Sequence, residues 1–405
     1  MVFALGVVLF ALGIGVSIAL HEAGHMWTAK ALGMKVRRYY IGFGPKIFSF
    51  RRGETEYGLK ALPLGGFCDI AGMTALDEMT PEEEPHAMYK KAAWKRVVVM
   101  SGGIAMNFIL GFLLIYALLL GWGRTSSEPA PPVVKGVTCV APTQLGQDQG
   151  WKLAECTGTG PAEAAGIAAG DRIVAVDGQP TDTFAEVSAA IRDKSGTVTL
   201  TVERGDKTVQ VPVDVSPVER YVAKEGSTTP ELAKVGAVGI EGVSNLIEYN
   251  ALTAVPAAFD YTGQIMVDSV KALADIPSKV GALWESVTGG ERAQDTPISV
   301  VGASVIGGEA ADRAEWPMFV GLLASINFFL GVFNILPLLP LDGGHIAVVF
   351  YEKIRDWFRA RRGLIPGGPV DYTRLLPITY VFIVIGGAFM LLTLTADIVN
   401  PIKIF

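Results

Sequence analysis

The chain has 405 residues, half of them hydrophobic and only 18% charged, with a mean hydropathy of +0.39. That balance excludes an ordinary soluble domain and points to several membrane spans. A formal net charge of −6 with no long basic run excludes nucleic acid as a partner, and three cysteines are too few for a disulfide scaffold.

Residues Val2 to Leu20 form an apolar run without charge. It lacks the basic start and small-residue cleavage site of a signal peptide. It also leads directly into His21-Glu22, so it reads as a retained first transmembrane helix over 1–29. A loop over 30–96 follows, then a second transmembrane helix over 97–122. A third transmembrane segment is expected over 318–358 and a fourth helix over 375–400. About 20 apolar residues cross a hydrocarbon core of roughly 30 Å, and backbone groups there must bond internally, so helices are the default.

Orientation follows from the cations at the span ends. Lys30, Lys35, Arg37, Arg38, Lys91, Lys95 and Arg96 flank the first loop, and Lys353, Arg355, Arg359, Arg361 and Arg362 follow the third span. Both loops are expected in the cytoplasm. Both termini and the stretch from Arg124 to Pro317 are then extracytoplasmic.

Part of that outer stretch reads as a soluble α/β module. After Pro161 to Asp171 comes a strand over Arg172 to Val176, then a tight turn at Asp177-Gly178. Phe184, Val187 and Ile191 recur at helical spacing. Val198, Leu200 and Val202 alternate as a strand, Gly205-Asp206 turns, and Val209, Val211 and Val213 alternate again. This order resembles a bacterial PDZ domain over 125–216, without a clear Gly-Leu-Gly-Phe loop for a peptide carboxylate. Residues 217–317 read as an extracytoplasmic linker, in which Ala251 to Val287 is either an amphipathic helix near the membrane or a packed connection.

The chemistry centres on His21-Glu22-Ala23-Gly24-His25. Residues four apart share a helix face, so two imidazoles can chelate one zinc ion while the intervening carboxylate reaches a water beside it. Ionisable groups at the end of an apolar span are expensive and mark function. A catalytic zinc takes three protein ligands, so a third must come from elsewhere. The candidates are His86, His345, Asp342, Asp69 and Asp397. Asp342 stands in a stretch from Asn334 to His345 broken by Pro337 and Pro340. Broken helix at membrane depth is tolerated where it is buried or lines a cavity. The alternative role for Asp342 is to cap the next helix. His21 and Asp342 also fall at similar depths from the outer side, and a carboxylate completes a known zinc hydrolase set, which favours Asp342 over His345. Asn334 has two readings: donor to substrate backbone, or helix-helix hydrogen bond.

His-Glu-x-x-His in the first span and Asn-x-x-Pro-x-x-Pro-Leu-Asp-Gly-Gly in the third resemble the site-2 protease family, in the class with an extracytoplasmic PDZ module. Gly42 to Pro45, Tyr57 to Gly66 and Gly103 to Asn107 are also similar to family elements, although Ile104 stands where the family has proline. The resemblance implies a polytopic α-helical membrane protein with four transmembrane helices, an inserted extracytoplasmic α/β PDZ domain and a cytoplasmic membrane-associated β-hairpin. It implies one Zn²⁺ per chain on His21, His25 and Asp342, with Glu22 as acid and base. Tyr57, Leu62, Gly65 and Gly66 would belong to a hairpin that takes substrate as an added strand, with Asn334 beside it. Expected substrates are single-pass membrane proteins, chiefly anti-sigma factors already trimmed outside by a site-1 protease. Cys139 and Cys156 would lie on the oxidising side, where they could form a disulfide. Two rival classes are a PDZ-bearing membrane scaffold with a non-catalytic metal site and a transporter; the latter lacks an inverted repeat.

Overall fold

The computed structural model describes every residue except 127, 147–151, 223–230, 403 and 405, and omits the side chains of 63 and 64. In chain order its elements begin with α1 (Val2–Ala31), β1 (Val36–Arg52), β2 (Thr55–Ile70) and α2 (Ala93–Trp122). Next come β3 (Arg124–Thr125), β4 (Val134–Val137), α3 (Pro161–Ala164), β5 (Arg172–Val176), β6 (Gln179–Pro180) and α4 (Phe184–Arg192). They are followed by β7 (Gly196–Arg204), β8 (Lys207–Val222), β9 (Glu231–Ala237), β10 (Ile240–Gly242) and β11 (Leu246–Ile247). The last helices are α5 (Ala254–Val287), α6 (Val300–Asp312), α7 (Trp316–Ile335), α8 (Asp342–Arg361) and α9 (Leu376–Val399). Two compact units result: Met1–Trp122 with Tyr249–Phe405, and Gly123–Glu248.

In the first unit, α1, α2, α7 and α9 are long and apolar enough to cross a membrane. Lipid gives no hydrophobic drive between helices, so association there depends on close packing and polar contacts. The contacts of α1 with α2 and α7 use both. A Cβ on Gly24 would stand 2.2 Å from the Gly102 carbonyl oxygen, so no larger residue fits at that contact. Asn327 of α7 donates to Ser17 Oγ of α1 at 3.0 Å. The expected third span is two helices. Its chain leaves helical geometry at Leu336, passes Pro337 and Pro340, and restarts at Asp342. Gly343 then packs on Ile335, where a Cβ would lie 2.2 Å from the carbonyl oxygen, so the restart folds tightly back on the end of α7.

Strands β1 and β2 form an antiparallel hairpin with repeated register shifts. Val36 and Ile70 join Ala23, Met26, Ala29, Val99 and Met100 in one core. Phe43, Ile47, Phe48, Leu59 and Leu62 point outward and are exposed. Helix α5 packs Ala254 and Ala258 against Ile115, Leu119 and Phe328, so its first part is built into the helix bundle. Helix α6, which the sequence reading had placed in a linker, packs on α1 around Phe10 and Ala303.

Arg96 and Glu352 form a buried ion pair at 2.5 Å between α2 and α8. Glu352 also accepts from the Val370 amide at 2.8 Å. Removing one member leaves the other charge buried and uncompensated. Arg96→Met is therefore expected to cost about 3 kcal/mol, read as a lower melting temperature in detergent. Arg96→Met combined with Glu352→Leu should recover most of that loss.

The second unit holds an antiparallel sheet in the order β6-β5-β7-β8-β9. Ile173, Leu200, Val202 and Val213 of the sheet pack with Val187 and Ile191 of α4. Asp177 and Gly178 both have positive φ (51° and 80°), as a two-residue hairpin turn needs. Thr183 Oγ1 caps α4 by accepting from Glu186 N at 3.2 Å. Arg204 donates to both oxygens of Asp171, at 2.7 and 2.6 Å, and holds its carboxyl below the usual range. Cys139 and Cys156 are joined as a disulfide with Cα atoms 5.8 Å apart. The unit extends well beyond residue 216: β9 pairs with β8, and β10 returns to pair with β4. The sequence reading stopped short because β9, largely exposed at its start and ending in Gly236-Ala237, lacks a clean alternation.

Candidate metal centre

His21 and His25 lie one turn apart on α1 and turn their Nε2 atoms toward each other, 3.2 Å apart. Asp342, the first residue of α8, places Oδ2 3.3 Å from both. That oxygen is buried and has no hydrogen-bond partner among the described residues. Tetrahedral ligands about 2.0–2.1 Å from zinc stand roughly 3.3–3.4 Å from each other, so this triangle fits one ion. Donor chemistry agrees, with two imidazoles and one carboxylate.

The surroundings fix the rings. His25 Nδ1 lies 2.8 Å from the Val99 carbonyl oxygen, an acceptor that keeps the proton on Nδ1 and leaves Nε2 free. Val99 belongs to α2, so the same helix that covers the rings also orients one of them. A Cβ on Gly103 would lie 2.3 Å from His25 Nε2 and 2.8 Å from His21 Cε1. Glycine is therefore what lets α2 lie against both imidazoles. Above the site runs β2. A Cβ on Gly66 would stand 3.2 Å from Glu22 Cγ, so the strand passes directly over the carboxylate between the two histidines. Tyr39 Oη of β1 donates to the Ala19 carbonyl at 2.6 Å and ties the hairpin to α1 just before the motif.

A family model described as Peptidase family M50 matches residues 9–364, most of the chain. The chain belongs to the M50 peptidases, the site-2 proteases. It is therefore an integral-membrane metallopeptidase. The zinc metalloprotease Rip1 of Mycolicibacterium smegmatis is 50% identical over 412 residues, covering 100% of both chains. Rip1 of Mycobacterium tuberculosis strain H37Rv is 48% identical over 407 residues, again covering 100% of both. A protein of Mesorhizobium japonicum is 31% identical across 84% of this chain and 86% of its own length.

In this M50 chain the other candidate third ligands are engaged elsewhere. His345 Nδ1 lies 3.2 Å from Tyr372 Oη, and the two rings stack. Asp69 pairs with Arg37 and Arg38 at 3.2 and 2.7 Å. Asp397 pairs with Arg292 at 2.6 Å in a buried bridge and accepts from Ser299 N. His86 is exposed and lies 3.2 Å from the Gly33 carbonyl oxygen.

The residues suggested for substrate contact are more scattered. Gly66 is at the site. Gly65, with φ of 127°, packs on the Phe43 ring, and Leu62 pairs with Phe43 and is exposed. Tyr57 pairs with Tyr39, whose other edge pairs with Cys68; the Tyr57 hydroxyl is held by Lys30 at 2.7 Å and its ring lies beside Tyr39 and Phe50. Asn334 Nδ2 donates back to Leu330 O at 3.0 Å within its own helix. Asn107 was quoted in the sequence only as part of a family-like element. Its carboxamide nitrogen lies 3.1 Å from His21 Nδ1. A polar residue in the middle of an apolar span is the signal that marks it.

Proposed function

We propose that this chain is a zinc protease that cuts single-pass membrane proteins, such as anti-sigma factors already trimmed outside the membrane by another protease. His21, His25 and Asp342 would hold the ion, and Glu22 would act as general base and then acid. The observation that carries the reading is the three-donor triangle beside the Glu22 carboxylate, under the Gly66 strand.

Zinc bound there supplies Lewis acidity, acidifying water and polarising the scissile carbonyl. Glu22 takes a proton from the attacking water and delivers it to the departing amine. The hairpin supplies what a helical substrate lacks. A peptide bond must leave its helix before it can be cut, and an extended strand can accept the freed backbone groups by pairing. Gly66 keeps that strand close to Glu22. Gly66→Leu is expected to lower cleavage about tenfold or more at unchanged zinc content, because its side chain would displace Glu22 or the strand. Equal cleavage by the variant would remove the hairpin from the mechanism.

The finer assignments are part of the same proposal. The hairpin and the loop after α8 face the cytoplasm, as their flanking cations favour. Both termini and the second unit face outward, where a Cys139–Cys156 disulfide would persist. The second unit is a PDZ-type module that restricts the enzyme to trimmed substrates. A groove of about 370 Å³ between α4 and the backbone of Gly236 to Ile240 supports a peptide-binding form of that role beside exclusion by bulk.

The test is cleavage of a tagged single-pass protein, trimmed on its outer side, by purified protein in detergent. Cleavage should vanish when a chelator strips the metal and return with one equivalent of zinc. Cleavage that survives complete metal removal would overturn the zinc mechanism. A zinc-loaded protein that cuts no trimmed substrate would favour the scaffold.

A further inference from the structure

We propose that Asn107 is a positioning residue, whose carboxamide selects the His21 tautomer that ligates the metal through Nε2. This rests on the metal centre read above. The histidines are not held alike. His25 faces the backbone oxygen of Val99, which can only accept, so its Nδ1 keeps a proton and its Nε2 keeps a lone pair. His21 faces a side chain that can do either. Asn107 Nδ2 lies 3.1 Å from His21 Nδ1, while Asn107 Oδ1 is buried with no hydrogen-bond partner among the described residues. Asn107 itself is 2% exposed.

A neutral imidazole has one donor and one acceptor nitrogen. With an amide N–H₂ toward Nδ1, that nitrogen would be the acceptor and the proton would sit on Nε2, which then has no lone pair for a metal. For Nε2 to present a lone pair, the proton moves to Nδ1, where a facing N–H₂ would oppose it donor to donor. A half-turn of the carboxamide about Cβ–Cγ exchanges its two ends within nearly the same volume. Oδ1 then accepts from Nδ1–H, and the buried oxygen gains the partner it lacks. Asparagine serves both states. Leucine serves neither, and aspartate only the ligating one.

The expectation is quantitative. Partners that orient a ligating histidine contribute about 10–100-fold in metal affinity. Metal-stripped protein in detergent is titrated with zinc against a competing chelator, and with Co²⁺ to read the ligand-field spectrum. Asn107→Leu should bind zinc about 10–100-fold more weakly with an altered Co²⁺ spectrum, and Asn107→Asp should stay within about threefold of wild type. Asn327→Leu controls for burial. Asn327 is also fully buried, also has an Oδ1 unpartnered among the described residues, and bridges α7 to α1 through Ser17, one turn before His21. It should change the melting temperature without moving zinc affinity. If the leucine at 107 prevents folding, Asn107→Ala is read in its place. Wild-type affinity in the apolar variant overturns the proposal, and so does equal weakness of Asn107→Asp and Asn107→Leu. A wild type that takes up no zinc would instead sink the metal centre itself, and this inference with it.

Discussion

Glu22→Gln is expected to keep one zinc per chain and to lose cleavage by roughly 10²–10⁴-fold, the usual share of general acid–base catalysis. The substitution preserves size, so it introduces no clash with β2, which leaves room for only a small gap over Glu22 Cγ. Glu22 stands outside the triangle formed by His21, His25 and Asp342, so the donor set is untouched. What changes is the ability to hold a proton between its removal from water and its delivery to the leaving amine. Zinc content measured by elemental analysis on the same preparation as the cleavage assay separates the two functions. Equal cleavage by Glu22→Gln and wild type would move the base elsewhere. Loss of zinc in the variant would mean that Glu22 helps build the site.

Much of the centre was legible in the sequence because its signals are local. His21 and His25 are placed by helical periodicity alone, and an ionisable pair ending an apolar run has few innocent explanations. Asp342 was reachable through the cost of breaking a helix at membrane depth at Pro337 and Pro340. The preference for Asp342 over His345 rests on depth and on a carboxylate completing a zinc hydrolase set; the structure adds that the His345 ring faces Tyr372, far along the chain. Contacts between elements were out of reach for the same reason. Nothing in residues 300–312 announces that this short helix packs on Phe10, because small residues give no periodic stripe. Tyr57 and Gly66 lie in one hairpin, yet only one of them reaches Glu22. Strand β2 pairs with both edges of Tyr39 to Ile41, with Tyr57 on one side and Gly66 on the other, and this is invisible without the pairing. The reach of the second unit to Glu248 is a further case, since β9 joins the sheet by backbone bonds that its side chains do not advertise.

Gly103→Ala is expected to abolish the metal centre while leaving the helix bundle assembled. The added carbon would stand 2.3 Å from His25 Nε2 and 2.7 Å from His25 Cε1, so a ring or a helix has to move. The helix has little room to retreat. It is packed closely on α7, where a Cβ on Gly331 would lie 2.7 Å from the Phe108 ring and one on Gly111 2.9 Å from the Phe328 ring. His25 cannot turn freely either, since its Nδ1 is held by Val99 from α2 itself. The imidazoles must yield, and a triangle with edges of 3.2 and 3.3 Å tolerates displacements of a few tenths of an ångström before one ligand is lost. Zinc affinity should fall by about 100-fold or more, with cleavage following it. Gly121→Ala is the matched control, since it lies in the same helix and its Cβ would meet nothing within 4 Å. It should bind zinc as wild type does. If Gly103→Ala also binds zinc normally, the rings have slack that the contact distances deny, and the close approach of α2 would serve packing alone.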